Sequence, residues 1–251
     1  CRELIANGCK EITLLGQNVN SYGKDLDCGV DFADLLAQIA ALDGDFLIRF
    51  MTSHPKDASK KLFDTMAASP KIAKQLHLPF QSGSSRVLKA MNRHYDREKY
   101  LAAVEYAKSV MPELVLTSDV IVGFPGETAE EFEETLTLIE KVRYDALFTF
   151  IFSPRPGTPA ATMADPTPKD EKNARFDRLC ALQNAISEEI HKEYAGKTLR
   201  CLVDGKDGEL LTARTEGGRL VRFSGCDSLI GTYQPITITG ATTWSLTGNL
   251  A

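Results

Sequence analysis

The sequence predicts an α/β protein in which a partial (β/α) barrel is followed by a small all-β barrel. Up to about residue 194, short apolar runs alternate five times with stretches of helical periodicity, a pattern typical of a parallel sheet wrapped by helices. After Gly196 the chain changes to short strands separated by glycine turns, which indicates a small closed barrel. Five or six strand–helix units fit a partial barrel better than a closed eightfold barrel, which needs about 250 residues.

The first part, residues 1–193, contains five predicted parallel strands with helices between them. Apolar runs place the strands at residues 11–15, 46–51, 76–80, 115–122 and 146–152. Residues 2–8 have the pattern of a helix end with Gly8 as its cap, so we expect at least one earlier strand to be missing from the chain.

The second part, residues 194–251, contains five predicted short strands. They are expected at residues 198–203, 209–215, 220–223, 234–239 and 244–247. The pairs Asp207-Gly208 and Gly217-Gly218 are typical of tight hairpin turns.

Composition excludes several classes of protein. The chain of 251 residues is 43% apolar and 25% charged, which is ordinary for a globular protein and argues against disorder. Its net charge of −5 argues against a globally basic nucleic-acid binder, although residues 194–251 carry six basic and five acidic side chains. No run of 18 apolar residues exists, so we expect no membrane association. The chain opens with Cys1 and without a signal segment, and we expect a cytoplasmic protein of which this is a piece.

The cysteines do not form a recognisable metal-binding pattern. They stand at positions 1, 9, 28, 180, 201 and 226, without any C-x-x-C pair. Clusters and zinc sites need closely spaced ligands, so we expect reduced thiols with packing roles and no metal site built from this chain alone.

Polar residues follow each predicted strand of the first part, where a (β/α) barrel places its reacting groups. Amides, hydroxyls and glycines dominate, in residues 16–23, 52–55, 81–84, 123–128 and 153–158. Ordinary helix caps and turns explain several of these segments singly, but five polar strand ends together indicate a site for a polar ligand. Asp119 could contact a ligand or a buried cation, while His54 and His77 are expected to be structural, His77 within the core.

No catalytic motif of polar chemistry is present. The sequence lacks a nucleophile elbow, a phosphate-binding P-loop, a metalloprotease helix motif and a dinucleotide fingerprint. If this barrel is an enzyme, a cofactor must supply the difficult step.

Seven segments resemble the radical-SAM methylthiotransferases, and in particular their tRNA-modifying MiaB-type branch. The first five are EITLLGQNVNSYG (11–23), LPFQSGS (78–84), MNRHY (91–95), TSDVIVGFPGET (117–128) and FSPRPGTPA (152–160). The last two, IGTY (230–233) and TWSLTG (243–248), resemble a TRAM domain. The resemblance covers essentially the whole chain, and it implies that residues 1–193 are part of a radical-SAM barrel.

The resemblance implies an activity and its partners. In this family a 4Fe-4S cluster cleaves S-adenosylmethionine, and the resulting radical removes hydrogen from C2 of an isopentenylated adenosine 37 beside the tRNA anticodon. A second 4Fe-4S cluster delivers the methylthio group, and an electron donor such as flavodoxin supplies electrons. The substrate region is the anticodon stem-loop.

One departure from the family concerns the cluster ligands. The family's C-x-x-x-C-x-x-C triad and its three further cysteines are absent, and none of the six cysteines matches a ligand position. We therefore expect both clusters to be bound upstream of this chain, which by itself should be inactive and contain no catalytic residue.

The resemblance also assigns residues to the cofactor and to RNA. The positions matched to S-adenosylmethionine binding are Gln17, Asn18, Ser53, Gln81, Ser82, Asp119, Ile121, Gly123 and Ser153. The positions matched to RNA are Arg155, Arg214, Arg219, Arg222 and Trp244. Asp119 and Arg155 could face either cofactor or nucleoside, and Trp244 could instead belong to the core of the small barrel.

Three alternatives remain open at this point. They are a methylthiotransferase that modifies a ribosomal protein, a non-catalytic RNA-binding scaffold, and a phosphate-binding metabolic barrel that rests on residues 123–128 alone.

Overall fold

Five parallel strands form the first part of the computed structural model, which describes residues 1–27, 29–51 and 53–251. The strands are β1 (Glu11–Leu14), β2 (Leu47–Phe50), β3 (Gln75–His77), β4 (Val115–Val122) and β5 (Ala146–Ile151). β1 pairs with β2, β3 and β5 flank β4, and a parallel bridge between Ile48 and Ile72 links the two groups. The α/β architecture predicted from the strand–helix alternation is confirmed.

Seven helices accompany these strands. They are α1 (Arg2–Ala6), α2 (Phe32–Ala40), α3 (Lys60–Ala68), α4 (Ser85–Ala90), α5 (Arg97–Val110), α6 (Ala129–Val142) and α7 (Lys169–Lys192). Reciprocal caps fix the starts of α2 and α6, where Asp31 and Thr128 accept hydrogen bonds from the N–H groups of Asp34 and Glu131. Side-chain caps satisfy N–H groups that a helix start leaves unpaired, and they set the point at which each helix leaves its strand.

The two faces of β4 differ in burial. Leu116, Ser118, Val120 and Val122 are buried on one face, whereas the alternate residues 117, 119 and 121 are only partly buried. The buried face contributes to a hydrophobic core shared with the helices, which includes Phe132 and Ile139 of α6. Since alternate residues of a strand point to opposite sides, residues 117, 119 and 121 face the interior of the partial barrel.

The second part is a closed five-stranded barrel, as predicted. Its strands are β6 (Thr198–Asp207), β7 (Leu210–Thr215), β8 (Leu220–Phe223), β9 (Tyr233–Ala241) and β10 (Leu246–Leu250), in the order β10-β8-β7-β6-β9. The hairpin predicted at Asp207-Gly208 joins β6 to β7, and Gly208 has a φ of 63°. The last strand begins at Leu246 rather than at Trp244, so the tryptophan lies outside the barrel's strands.

The small barrel packs against the amino ends of the parallel strands. Arg49 on β2 donates to the backbone oxygens of Thr215 and Glu216 at 3.0 and 2.8 Å, and also to Gln75 at the start of β3. Tyr233 donates its hydroxyl to the carbonyl of Lys10 just before β1, at 2.8 Å. The small barrel therefore covers the end of the sheet opposite to the one where active sites of (β/α) barrels form.

None of the helices among the described residues combines sufficient length with sufficient apolar character to span a bilayer.

Candidate active site

A cleft of about 270 Å³ lies at the carboxyl ends of the parallel strands. Its walls come from segments that follow β1, β2 and β3, together with a side chain of β4. The lining residues are Gln17, Met51, Ser53, His54, Pro55, His77, Pro79, Gln81, Arg93 and Asp119. Four of the residues predicted to bind a cofactor, Gln17, Ser53, Gln81 and Asp119, are thus brought together here.

Gln81 holds an unusual backbone conformation beside this cleft. It is buried and has a φ of 67°, in the left-handed region that residues other than glycine rarely adopt. Its N–H donates to the carbonyl of Asp119 and its own carbonyl accepts from the N–H of Ile121, both at 2.9 Å. These two bonds extend the pairing of β3 with β4 and keep Gln81 in the wall of the cleft. Strained residues of this kind often occur at functional sites.

Two buried polar atoms in the cleft have no hydrogen-bond partner in the described structure. They are the Ser53 hydroxyl oxygen and Nε of Arg93. Leaving a buried donor or acceptor unpaired costs about 1–3 kcal/mol, so such atoms mark positions where a bound ligand gains affinity. A guanidinium nitrogen and a hydroxyl together fit an anionic group such as a carboxylate.

Asn18 and its neighbours fix the loop after β1. Nδ2 of Asn18 donates to Asp57 at 2.6 Å, Lys24 pairs with the same carboxylate, and Oδ1 of Asn18 is buried without a partner. Asn20 exchanges hydrogen bonds with the backbone of His54, at 2.9 and 3.1 Å. Asn18 is therefore held beside the cleft while one of its polar atoms stays available.

Two histidines line the cleft in different electrostatic settings. Burial lowers the pKa of His54, and the neighbouring charge of Arg93 lowers it further, which favours the neutral ring. Its Nδ1 accepts a hydrogen bond from the N–H of Lys56 at 3.2 Å, as a neutral ring can. His77 lies between Thr117, 3.0 Å from Nδ1, and Asp119, 3.4 Å from Nε2. The expectation that His77 belongs to the core is wrong, because its ring lines the cleft with Asp119.

The segment after β4 is stiffened by a buried carboxylate. Oε2 of Glu127 accepts from the N–H of Gly123 at 2.8 Å and lies 3.4 Å from Nη1 of Arg175. Gly123 has a φ of 72°, and a Cβ at this position would stand 2.7 Å from the side chain of Lys172. Burial raises the pKa of Glu127, while the Gly123 hydrogen bond and Arg175 oppose that rise. This segment has little freedom to move.

Comparison with known proteins identifies the first part of the chain. Residues 1–139 match the Radical SAM superfamily. The chain belongs to the radical SAM superfamily. A solved structure with the same fold is coproporphyrinogen III oxidase (HemN) from Escherichia coli, a radical SAM enzyme, with 17% identity and a TM-score of 0.50 over 72% of this chain and 50% of that one.

Two curated relatives match almost the whole of this radical SAM chain. Both are named tRNA-2-methylthio-N(6)-dimethylallyladenosine synthase. The protein from Desulfitobacterium hafniense (strain Y51) is 51% identical over 98% of this chain, and the one from Alkaliphilus oremlandii (strain OhILAs) is 49% identical over 99%. The chain spans 56% and 53% of their respective lengths.

The remaining residues predicted to bind the cofactor in this radical SAM chain lie around the cleft or away from it. Ser82 is buried, and its hydroxyl accepts from the N–H of Ser84 at 3.2 Å. Ile121 lies on the interior face of β4, and Asn18 and Gly123 hold the loops described above. Ser153 is exposed and lines a different cleft, with Thr167 and Lys172. The structure therefore does not bring Ser153 together with Gln81.

The residues predicted to bind RNA fall into two groups. Arg155 is exposed in the loop after β5, on the side of the molecule that carries the candidate site. Trp244 is 69% exposed, so its assignment to the core of the small barrel is wrong. Arg214 and Trp244 share a cleft of about 230 Å³ where the two parts of the chain meet, and Arg222 lies on β8.

Arg219 is buried, so its predicted contact with phosphate is wrong. Its side chain is only 6% exposed and is paired with Asp145. A buried, paired guanidinium is unavailable to a phosphate group at the surface. Arg214 and Arg222 are more accessible, and in the described structure they contact Asp204 and Asp207 through Nε only, at 3.1 and 2.9 Å.

The described residues do not fit an iron–sulfur cluster. Across residues 1–27, 29–51 and 53–251, no three His, Cys, Asp or Glu side chains lie close enough to hold a metal ion. Cys1, Cys9, Cys180, Cys201 and Cys226 are free thiols, and Cys28 lies outside the described residues. Burial raises the pKa of Cys201 to about 12, so that thiol is protonated and serves packing.

Sequence reasoning missed Arg93 and His77 as residues of the site. Arg93 lies within the MNRHY segment at 91–95, which carries the family resemblance, and that membership was the available signal. His77 alternates with apolar residues, and this pattern predicts a position in the core. The pattern does not show that the interior face of an incomplete barrel is open, so that a polar side chain on this face lines a cleft.

Proposed function

We propose that this chain is the carboxyl-terminal part of a tRNA methylthiotransferase that adds a methylthio group to C2 of an N6-isopentenylated adenosine 37. The identity of 51% to a tRNA-2-methylthio-N(6)-dimethylallyladenosine synthase, extending over 98% of the chain, carries this proposal. Membership of the radical SAM superfamily alone leaves the substrate open, and the name of this relative supplies it. The polar cleft at the carboxyl ends of the strands supports the binding of a polar cofactor.

S-adenosylmethionine fits the cleft by its chemistry. Its carboxylate matches the unpaired Arg93 Nε and Ser53 hydroxyl, and its ribose hydroxyls and amino group match the amides of Gln17, Asn18 and Gln81. When bound and reductively cleaved, this cofactor supplies hydrogen abstraction, which C2 of adenine requires because it is neither acidic nor electrophilic.

The chain's own residues position and shield the reacting groups. Gln81 is held by two backbone hydrogen bonds to β4, and the loop after β1 is held through Asn18 and Asn20. The hydrogen bond from Gly123 to Glu127 fixes the loop after β4. Rigid walls of this kind keep a bound cofactor oriented and restrict the access of water.

Two 4Fe-4S clusters belong to the proposed enzyme, but the described residues supply no ligand set for either. Their ligands and the contact with an electron donor such as flavodoxin are assigned to other parts of the enzyme. The five free thiols described above take no part in this assignment.

The small barrel is assigned to RNA binding as a TRAM domain. Trp244 offers an exposed ring for stacking, and Arg214 and Arg222 keep their Nη groups available for phosphate. The small barrel packs on the amino ends of the strands, whereas the cleft lies at their carboxyl ends. An anticodon stem-loop that uses both surfaces would contact the small barrel at the amino ends of the strands, with Arg155 on the side of the cleft.

The test uses the full-length protein with reconstituted clusters, a reductant and S-adenosylmethionine. Mass spectrometry of nucleosides from isopentenylated tRNA is expected to show a thiomethyl gain on adenosine 37. A gain on a ribosomal protein instead, with unchanged tRNA, would overturn the proposal. RNA binding without any cofactor cleavage would indicate a non-catalytic scaffold.

A further inference from the structure

The interior faces of β4 and β5 form one continuous surface next to the cleft. In the parallel register, Asp119 is paired with Phe148 and Ile121 with Phe150. Residues paired across adjacent strands point to the same face of a sheet, so these four side chains lie side by side in the interior of the barrel. β4 contributes a carboxylate and an isoleucine to this surface, and β5 contributes two aromatic rings.

The aromatic part of this surface is exposed. Phe148 and Phe150 are 54% and 52% exposed, although they lie in the middle of a strand. Two neighbouring exposed phenylalanines on an inward face form an apolar patch of the kind that marks binding sites. The other exposed large apolar residues described near these strands lie in loops and not within a strand: Leu15, Tyr22 and Leu26 follow β1, Met51 follows β2 and Met163 follows β5.

The polar part connects the patch to the cleft. The ring of His77 packs edge-on against Phe148, with centroids 5.7 Å apart, and Nε2 of His77 lies 3.4 Å from Oδ1 of Asp119. Both His77 and Asp119 line the cleft proposed for S-adenosylmethionine. Thr117 holds Nδ1 of His77 at 3.0 Å, and the ring in turn limits the freedom of the Asp119 carboxylate. A ligand on the patch would therefore lie directly beside the cofactor.

We propose that this surface, formed by His77, Asp119, Phe148 and Phe150, binds the isopentenylated adenine and selects for its isopentenyl group. Asp119 accepts a hydrogen bond from N6–H, and Phe148 and Phe150 contact the five-carbon tail. The inference rests on the proposed function.

The chemistry of the substrate matches this arrangement in two respects. An N6-isopentenylated adenine keeps a single N6–H donor, which a lone carboxylate can accept, and it carries an apolar tail directly attached to the same nitrogen. On the protein, Asp119 and Phe148 are register partners on adjacent strands. The carboxylate and the ring therefore lie close enough together to contact the N6–H and the tail on the same nitrogen. An unmodified adenosine would leave both rings in water and lose the apolar contact.

The experiment measures the preference of the full-length protein for a prenylated RNA. Two anticodon stem-loops, one with isopentenyladenosine and one with adenosine, are titrated by fluorescence anisotropy in the presence of S-adenosylmethionine. Phe148→Ala and Phe150→Ala are each expected to lower the preference for the prenylated RNA at least about tenfold, with little change in affinity for the unmodified one. Leu4→Ala, which removes an exposed apolar side chain from α1, is the matched control.

Two results would overturn the inference. One is an unchanged preference in both phenylalanine variants. The other is a fall in thermal stability as large as that caused by Phe63→Ala, a buried side chain of α3, because it would mean that another segment of the protein covers the patch. Failure of the proposed function is seen separately, since it is judged from the thiomethyl mass gain catalysed by the wild-type protein.

Discussion

Arg219 and Asp145 form an ion pair buried between the two parts of the chain. Their side chains are 6% and 10% exposed, and the guanidinium also lies over the ring of Tyr194, 4.7 Å from its centroid. Asp145 accepts a further hydrogen bond from the N–H of Leu116 at 2.6 Å. This pair joins the turn before β8 to the start of β5, and it fixes the small barrel on the end of the parallel sheet.

Removing one member of this pair should destabilise the protein strongly. Arg219→Ala leaves the Asp145 carboxylate buried and unpaired, so we expect the free energy of unfolding to fall by about 3–5 kcal/mol. Urea denaturation followed by circular dichroism measures the change. Arg222→Ala breaks the exposed pair with Asp207 and should cost no more than about 1 kcal/mol.

A double variant separates the charge from the packing. Arg219→Met combined with Asp145→Asn removes both charges and keeps an acceptor for the N–H of Leu116. It should be clearly more stable than Arg219→Ala. Equal instability of the two variants would show that the buried charge is not the cause.

Gln81 offers a test of the cofactor cleft. In the full-length protein, Gln81→Ala should weaken binding of S-adenosylmethionine by about 1–3 kcal/mol, the cost of a lost buried hydrogen bond. Alanine keeps a Cβ, so the strain at the φ of 67° stays while the amide is removed together with Cγ. Isothermal titration calorimetry measures the affinity. Gln38→Ala, at an exposed position of α2, should leave it unchanged, and an unchanged affinity in Gln81→Ala would remove this amide from the site.

Glu131 should make stability depend on pH in the acid range. Its carboxylate accepts from Arg86 and from the N–H of Thr128, and the hydrogen bond to Arg86 is the main cause that lowers its pKa from 4.5 to about 2. A carboxyl with a lowered pKa in the folded state stabilises fully above its unfolded pKa and loses that contribution as the pH falls.

The corresponding measurement compares unfolding free energies of the wild type and Glu131→Gln. The difference should be constant above pH 4.5 and shrink as the pH falls towards 2. Glu133→Gln affects a carboxylate that pairs with Arg178 where both side chains are more than half exposed, and it serves as the control. A difference that stays constant over the whole range would contradict the role assigned to Glu131.

The positions of the strands could be predicted from the sequence because each strand combines an apolar outer face with a defined end. β4 matches its predicted bounds, residues 115–122, because eight alternating residues precede the glycine at 123. β3 is shorter than expected, since Pro79 cannot donate to a sheet and the chain turns into the strained conformation of Gln81. The closed small barrel followed from its turn residues.

The residues of the site could be predicted from the sequence less completely than the fold. Gln17, Ser53 and Gln81 converge as strand-end reasoning predicts, because parallel strands bring their carboxyl ends to one edge, and Asp119 joins them from within β4. Arg219 was misassigned because a basic residue in a small barrel has the same sequence pattern whether it faces solvent or a neighbouring sheet. Only packing against Asp145, 74 positions away, distinguishes the two.

The exposed basic residues of the small barrel should carry the salt-sensitive part of tRNA binding. Each phosphate contact releases counterions, so Arg214→Ala and Arg222→Ala should each lower the slope of log affinity against log salt by about 0.7–0.9. Trp244→Ala should instead cost about 1–3 kcal/mol at every salt concentration, because stacking releases no counterions. Filter binding of tRNA to the full-length protein over a salt series measures both effects. Arg178→Ala, an exposed arginine of α7, should leave the slope unchanged. Equal slopes for the wild type, Arg214→Ala and Arg222→Ala would show that these side chains do not touch phosphate, and the small barrel would then only stabilise the end of the sheet on which it packs.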